Sequence, residues 1–296
     1  KVPASTSNLG CGFDTFGLAL SLYNTFCIRE DEDFCVEIEG EGSHLPRDKN
    51  NLFVKTYLRV CEIYGEKPKS FRVFQKNQVP TGRGLGSSAT AIIGGVCAYE
   101  VLHGKKLSEK EKLKIALSIE PHPDNLSPAL LGGFVVSLYD GEEVYYVKLD
   151  FPEDIKVVVA IPDFELSTEK AREVLKREVS LSDAVNNIQR SNLLLASVCQ
   201  RRYELLMEAV KDRLHQPYRA SLIPGFYEVL ESAYKGGALA TFLSGAGPTI
   251  ASFVVEGADE VGKSMVEAFA KRGVKARYLV LNVDREGTKV YEDTHP

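Results

Sequence analysis

Residues 80–95 read PTGRGLGSSATAIIGG, with glycines at 82, 84 and 86 running into Ser87, Ser88 and a small-residue, apolar stretch. Alternating glycines let backbone N–H groups approach a ligand without a Cβ in the way. A helix starting at the serines adds free donors and the positive end of its dipole. The stretch from Pro80 through Arg83 to Ala89 therefore has the chemistry of an anion cradle. No lysine follows Gly86, so the segment is not a Walker A loop, and the GxGxxG spacing also fails. The plainer alternative is a Gly/Ser turn ahead of a buried helix. If a phosphate binds here, Mg²⁺ and the helix dipole must supply the positive charge, and the metal then needs a carboxylate nearby.

Glu120 is the candidate carboxylate. It ends a helical stretch, where an acidic side chain opposes the dipole. It is followed by PHPDN, whose prolines stiffen what reads as a loop carrying His122, Asp124 and Asn125. Near the start, STSNLGCGFDTFG sets Asn8 and Asp14 among small and apolar residues, as an Asx-rich turn between strands would. SGAGPT at 244–249 is a second glycine loop, read most simply as a tight hairpin. Arg172 and Arg219 stand in moderately apolar surroundings, and the planar guanidinium suits a carboxylate.

The elements that must position these groups alternate along the chain. TFCIRE, FCVEIEG and FRVFQKN have strand periodicity, and the helical spacing from Asn51 stops at Gly65. SSATAIIGGVCAYEVLHG is apolar nearly all round and reads as a buried helix. Ser108 and Glu111 form a capping-box pair opening the next helix. GGFVVSLYD, VYYVKLD and IKVVVAIP read as strands. The pattern is helical with polar breaks from Ser167 to His215. Two strands flank SGAGPT, followed by a helix from Asp259 and a last strand in KARYLVLNV. The expected fold class is α+β in two domains: 1–150, with a mixed or antiparallel sheet and helices, and 151–296, with a helical layer on an antiparallel sheet. The division falls near Phe151.

With 296 residues, 44% apolar and 26% charged, the chain has the make-up of a globular enzyme rather than a disordered or fibrous protein. A net charge of −5 argues against a nucleic-acid partner, which needs clustered cations. The six cysteines form no CxxC pair and read as buried thiols of a reducing compartment. No apolar run is long enough to span a bilayer and no charged-then-apolar leader precedes Val2, so no membrane partner is expected and the expected location is the cytoplasm.

Taken together and in order, STSNLGCGFD, PTGRGLGSSA and SGAGPT resemble the three-motif signature of the GHMP small-molecule kinases. Within that superfamily, VPASTSNLGCGFDTFGLAL, IEPHPDNLSPALLGGF, STEKAREVL and YRASLIPG are most similar to the homoserine kinases, and they span nearly the whole chain. The resemblance implies a GHMP kinase fold that uses ATP and Mg²⁺ to phosphorylate the side-chain hydroxyl of L-homoserine, a step toward threonine. Ser88 and Glu120 would hold the metal ion. Gly84, Leu85, Gly86, Ser87 and Ala89 would line the phosphates with Pro80 and Arg83 beside them, and Asn51 would lie near the adenine. Asn8, Asp14, His122 and Asn125 would face homoserine, with Asp14 on its ammonium. Arg172 and Arg219 would clamp its carboxylate, with Thr168 close to the reacting end. Sugar and mevalonate kinases of the superfamily have an aspartate acting on the acceptor hydroxyl. Here the residue facing it would be Asn125, which implies direct attack without a carboxylate base. A homodimer is compatible with the resemblance. Pro121 stands where the family has glycine between the glutamate and the histidine, and so removes an N–H beside Glu120.

Overall fold

The computed structural model describes residues 1–292. Period-2 apolar patterning in the first half produces strands β1 (Val2–Ser7), β2 (Phe16–Glu30), β3 (Cys35–Gly40), β4 (Phe71–Asn77), β5 (Phe134–Tyr139) and β6 (Val144–Leu149). Helices α1 (Leu52–Tyr64), α2 (Ser87–His103), α3 (Glu109–Leu117) and α4 (Pro123–Leu131) lie between them. The strands form one sheet in the order β3-β4-β2-β5-β6, with β1 also paired to β2. Only the β3–β4 pair is parallel. Because β2 is 15 residues long, its first part serves β1 and β5 and its second part serves β4.

The second half holds β7 (Lys156–Pro162), α5 (Thr168–Glu173), α6 (Leu181–Cys199), α7 (Leu206–Ala209), α8 (Gln216–Arg219) and α9 (Phe226–Lys235). It ends with β8 (Ala240–Leu243), β9 (Ile250–Val254), α10 (Ala258–Lys271) and β10 (Ala276–Leu281). These four strands form an antiparallel sheet in the order β10-β7-β9-β8. Alternation along β7 explains the layering. Val158 and Ala160 face the α9–α10 layer, whereas Val157, Val159 and Ile161 face a core shared with Leu18, Leu20 and Phe134 of the first half. Phe151, at the expected division, sits inside that shared core, with its ring centroid 5.2 Å from Phe253 and 6.1 Å from Phe134. After β10 the chain returns to the first sheet, where Ser21 N donates to Asn282 O and Asp284 N to Ala19 O. The cleft between the halves thus has walls that are packed on each other over a broad apolar area.

Helix ends follow the sequence signals. Asn51 caps α1, Gly65 ends it with φ 64°, and Ser108 and Glu111 make the reciprocal capping box of α3. Two expectations need correction. The HPDNLSPALL segment is not a stiff loop but helix α4. Pro123 lies in the first turn, where its missing N–H has no helical partner to lose. Pro128 is inside the helix and leaves the Asp124 carbonyl without its N–H, and that carbonyl lies against Gly17 of β2. The cysteines are not all buried: Cys11, Cys61 and Cys97 are, Cys35 is half-buried, and Cys27 and Cys199 are exposed. Cys27 pairs with Phe74 on the outer face of the sheet, and Cys199 ends α6.

The contact at Gly17 sets the distance between α4 and the sheet. A Cβ there would lie 1.8 Å from Asp124 O and 2.7 Å from Pro128 Cγ. Gly17→Ala is therefore expected to push α4 off β2, at a cost of about 2–3 kcal/mol, overpacking a tight site having few ways to relax. Because α4 carries Asp124 and Asn125, activity should fall along with the melting temperature. A variant with unchanged Tm would mean that α4 is not held by this contact.

Candidate active site

The segments singled out in the sequence meet in one cleft of about 220 Å³ at the junction of the two halves. From the β1–β2 loop come Asn8 and Asp14. Pro80, Arg83, Gly84, Gly86, Ser87 and Ser88 come from the loop entering α2. Glu120 and His122 come from the α3–α4 connection, Asn125 from the first turn of α4, and Thr168 and Arg172 from α5. Arg219 of α8 and Gly245–Gly247 of the β8–β9 loop complete the walls.

The glycine loop is held by its carbonyls. Leu166 N donates to Gly82 O, Thr249 N to Arg83 O, and Ser244 Oγ to Gly84 O at 2.6 Å. Arg83 points away to the second half, donating from Nε to Pro162 O at 2.9 Å and from Nη1 to Thr81 O at 3.0 Å. The N–H groups from Gly82 to Ala89 have no acceptor among the described residues. Gly86, the N-cap of α2, has φ 73°, and Gly84 has φ 77° with Ser244 O 2.2 Å from where a Cβ would stand. Only glycine permits both the left-handed backbone and the close approach, and the loop's N–H groups are left as available donors.

Next to these donors, Ser88 Oγ donates to Glu120 Oε2 at 2.9 Å, so Pro121 does not keep the two side chains apart. Burial pushes the Glu120 carboxyl above its ordinary range, which the Ser88 hydrogen bond opposes. The only hydrogen-bond partner of this buried carboxyl among the described residues is the Ser88 hydroxyl, and the Arg172 charge also favours its ionised form. Among the described residues no group of three or more His, Cys, Asp or Glu side chains gathers to hold a metal. One carboxylate and one hydroxyl beside unpartnered N–H donors suit Mg²⁺, which takes few protein oxygens and fills its octahedron with phosphate and water.

Two arginines line the same cleft. Arg219 is 1% exposed. Its Nε donates to Ala171 O at 2.9 Å and its Nη1 to Gly245 O at 3.2 Å. Burial, then the neighbouring Arg172 charge, lower its pKa to about 10. Arg172 makes a two-pronged ion pair with Asp14, at 2.7 and 3.1 Å, while its buried Nε has no partner. Both guanidinium groups lie over the Phe13 ring, at 5.4 Å for Arg172 and 5.3 Å for Arg219. His122, half-buried, has its pKa lowered by burial and then by Arg172, which favours the neutral ring.

Asn125 sits between the two chemistries. Ser5 Oγ donates to its Oδ1 at 2.8 Å and its Nδ2 donates to Ser7 Oγ at 3.0 Å, so two serines on one face of β1 fix the amide. Asn8 is similarly committed: Nδ2 donates to Gly245 O at 3.1 Å and Oδ1 accepts from Asp14 N at 2.9 Å. It thereby ties the β1–β2 loop to the β8–β9 loop. Asn8 and Asp14 both have positive φ, at 70° and 56°, which these residue types tolerate.

Three of the expected residues are not in the cleft lining. Asn51 is buried at the start of α1, its amide spent on Phe53 N, Gln75 Nε2 and Pro46 O. The side chains of Leu85 and Ala89 are in the core, and only their backbone belongs to the loop. Asp124, one of the titratable candidates near the acceptor hydroxyl with Asp14 and His122, carries no assigned binding or catalytic role from the sequence. It lines the cleft at 4% exposure. Burial, then the Asp14 charge, push its carboxyl up to about 7. Its neighbour Ser7 and the pair Leu166–Ser167 were missed as well, since single small residues at strand and helix ends carry no sequence signal.

Comparison with known proteins identifies the family. Residues 51–133 match the family described as GHMP kinases N terminal domain, and residues 194–271 match GHMP kinases C terminal. The chain is 52% identical over 292 residues to the homoserine kinase of Aquifex aeolicus, covering 98% of each chain. It is 47% identical to that of Persephonella marina, covering 98% of this chain and 97% of the relative. The crystal structure of homoserine kinase from Cytophaga hutchinsonii superposes with a TM-score of 0.86 at 31% identity, over 97% of this chain and 94% of that one. The fold is shared more widely: a mevalonate kinase from L. major reaches a TM-score of 0.73 at 12% identity, covering 97% of this chain and 96% of that one. From these matches, and from a cleft in which all three signature segments converge, the chain belongs to the homoserine kinase family of the GHMP kinases.

Proposed function

We propose that the protein transfers the γ-phosphoryl group of ATP to the side-chain hydroxyl of L-homoserine, forming O-phospho-L-homoserine on the way to threonine. The observation that carries this reading is that one cleft is lined both by the loop whose 82–89 N–H donors are unpartnered among the described residues and by Arg172 and Arg219. In this reading residues 1–150 form the ATP-binding domain and residues 151–296 the second domain. The loop donors take the phosphates, and Ser88 and Glu120 hold Mg²⁺. The ion, when bound, offsets the charge on the phosphates that a Walker lysine would otherwise meet. Asp14 takes the substrate ammonium, and the carboxylate goes to the partnerless Arg172 Nε and to Arg219. Binding thus exchanges the Asp14–Arg172 ion pair for two pairs with the zwitterion, and the desolvated cations gain a counter-charge.

Phosphoryl transfer has a loose transition state, so catalysis rests on positioning and on charge stabilisation. Asn125, locked by Ser5 and Ser7, orients the hydroxyl beside Thr168 but cannot accept its proton near neutral pH. The proton leaves to phosphate or water in direct attack. A second reading is favoured by one observation: Asp124 lines the cleft and is pushed up to about 7, the range suited to a general base.

The direct test is ADP release with homoserine, serine, threonine and mevalonate as acceptors. Homoserine should be turned over fastest by a wide margin. Preference for mevalonate would point to another acceptor class, and no turnover of any would leave a ligand sensor on a kinase fold. Arg219→Lys keeps the charge but loses the planar fork, so KM for homoserine should rise about tenfold or more while KM for ATP stays nearly constant. A shift in the ATP constant instead would assign Arg219 to the nucleotide.

A further inference from the structure

His215 is fully buried, touches Arg219 without lining the cleft, and no role in catalysis follows from its position in the sequence. Its Nε2 lies 2.7 Å from Gly10 O, and its Nδ1 lies 3.3 Å from Arg219 Nη1. A backbone carbonyl can only accept and a guanidinium can only donate, so these two contacts together fix one tautomer: proton on Nε2, lone pair on Nδ1. Burial, opposed by Asp212 and reinforced by Arg219, lowers the pKa and keeps the ring neutral. The ring stacks on Phe13 at 4.9 Å and 18°, the same ring over which both arginines lie. Asp212 secures the start of α8 by accepting from Leu214 N, His215 N and Gln216 N.

We infer that His215 is a positioning residue for the substrate carboxylate: as a neutral acceptor for Arg219 Nη1 it fixes the plane of the guanidinium whose Nη2 is left for the ligand. The inference rests on the reading that Arg219 binds that carboxylate. Nε and Nη1 are spent on Ala171 O, Gly245 O and His215 Nδ1, whereas Nη2 has no partner among the described residues. Two carbonyls alone hold Nε and one hydrogen of Nη1. The histidine lone pair takes up the second, and the fork can then no longer rock about its long axis. An imidazolium, or the other tautomer, would set an N–H against an N–H and turn the fork away.

The test compares two substitutions that split the histidine contacts. In His215→Gln the terminal amide reaches the Nε2 position and can still donate to Gly10 O, but the acceptor for Arg219 is gone. In His215→Asn the side-chain oxygen reaches the Nδ1 position and keeps that acceptor. KM for homoserine should rise about tenfold in His215→Gln and clearly less in His215→Asn, with kcat and KM for ATP within about threefold of the parent. Added to Arg219→Lys, His215→Gln should cause little further loss, because the two act on one contact. If Arg219→Lys raises KM for homoserine and His215→Gln does not, the inference falls and His215 is packing alone. If Arg219→Lys leaves KM for homoserine unchanged, the carboxylate reading itself falls, and the inference with it. Should the variants fail to fold, ¹⁵N-histidine NMR of the parent decides: a neutral ring protonated on Nε2 at pH 7 is required. A ring protonated on Nδ1, or an imidazolium, would overturn the inference.

Discussion

Glu120→Gln should lower kcat about a hundredfold, equivalent to about 3 kcal/mol of transition-state stabilisation. At the same time it should leave the ligand-free fold at least as stable as the parent. The two halves of this expectation come from the same physics. The amide still accepts from Ser88 Oγ, so local geometry survives, but it presents no net charge to a divalent cation. In the ligand-free protein the carboxylate is a liability, since burial raises its pKa more than the Ser88 hydrogen bond and the Arg172 charge lower it. A group whose folded pKa is raised takes stability away as pH rises through that value, and glutamine removes this dependence. Steady-state assays over a Mg²⁺ series, together with thermal melts, check both halves. Near-parental kcat at limiting Mg²⁺ would remove Glu120 from the metal site, whatever the melts gave.

For Asp124→Asn the larger effect is on stability: about 4 kcal/mol gained near pH 8, fading to nothing near pH 4. Asp124 titrates at about 7 in the folded protein against an ordinary 3.8, so the folded chain holds a proton that the unfolded chain has released over that whole interval. The contribution of Asp124 to the stability of the parent is therefore fully present below 3.8 and is lost as pH rises through 7, whereas asparagine imitates the neutral acid and never ionises. Denaturant titrations of both proteins at matched pH give the difference curve, and a flat curve would mean that the buried carboxylate is compensated in solution. Activity of the same variant decides between the two proton routes. Direct attack leaves kcat within an order of magnitude. A general base at Asp124 costs about a hundredfold or more and removes its limb from the pH profile.

Much of the site was legible because its residue types are constrained locally. A loop that must offer N–H groups with left-handed backbone needs glycine, and Gly84 and Gly86 are in the sequence at the required spacing before a helix. Asn8 and Asp14 are similarly placed where positive φ tolerates them, and Ser108 with Glu111 marked a helix start that the structure has. Local chemistry, helix caps and strand alternation such as that of β7 depend on neighbours within a few residues, so the chain announces them. The segment from His122 to Leu131 was misread for the same reason: two prolines are a strong local signal against a helix. Packing makes α4 worthwhile: it lies on Gly17 of β2, more than a hundred residues away, and buries Leu126, Ala129 and Leu130 in a core with α2 and α3.

What tertiary structure alone decided is which groups face each other and what that does to their charge. Arg172 and Asp14 were each expected to meet the substrate, yet in the fold they meet one another across 158 residues of chain. Asn51 looks like a free polar side chain in the sequence, but Gln75 and Pro46 absorb its amide. Asp124 acquired its raised pKa, and His215 its single tautomer, from burial against partners distant in the chain. Hydrogen-bond partners and desolvation depend on what lies within a few ångströms, and for these residues those neighbours come from loops that only the shared core between the two sheets brings together.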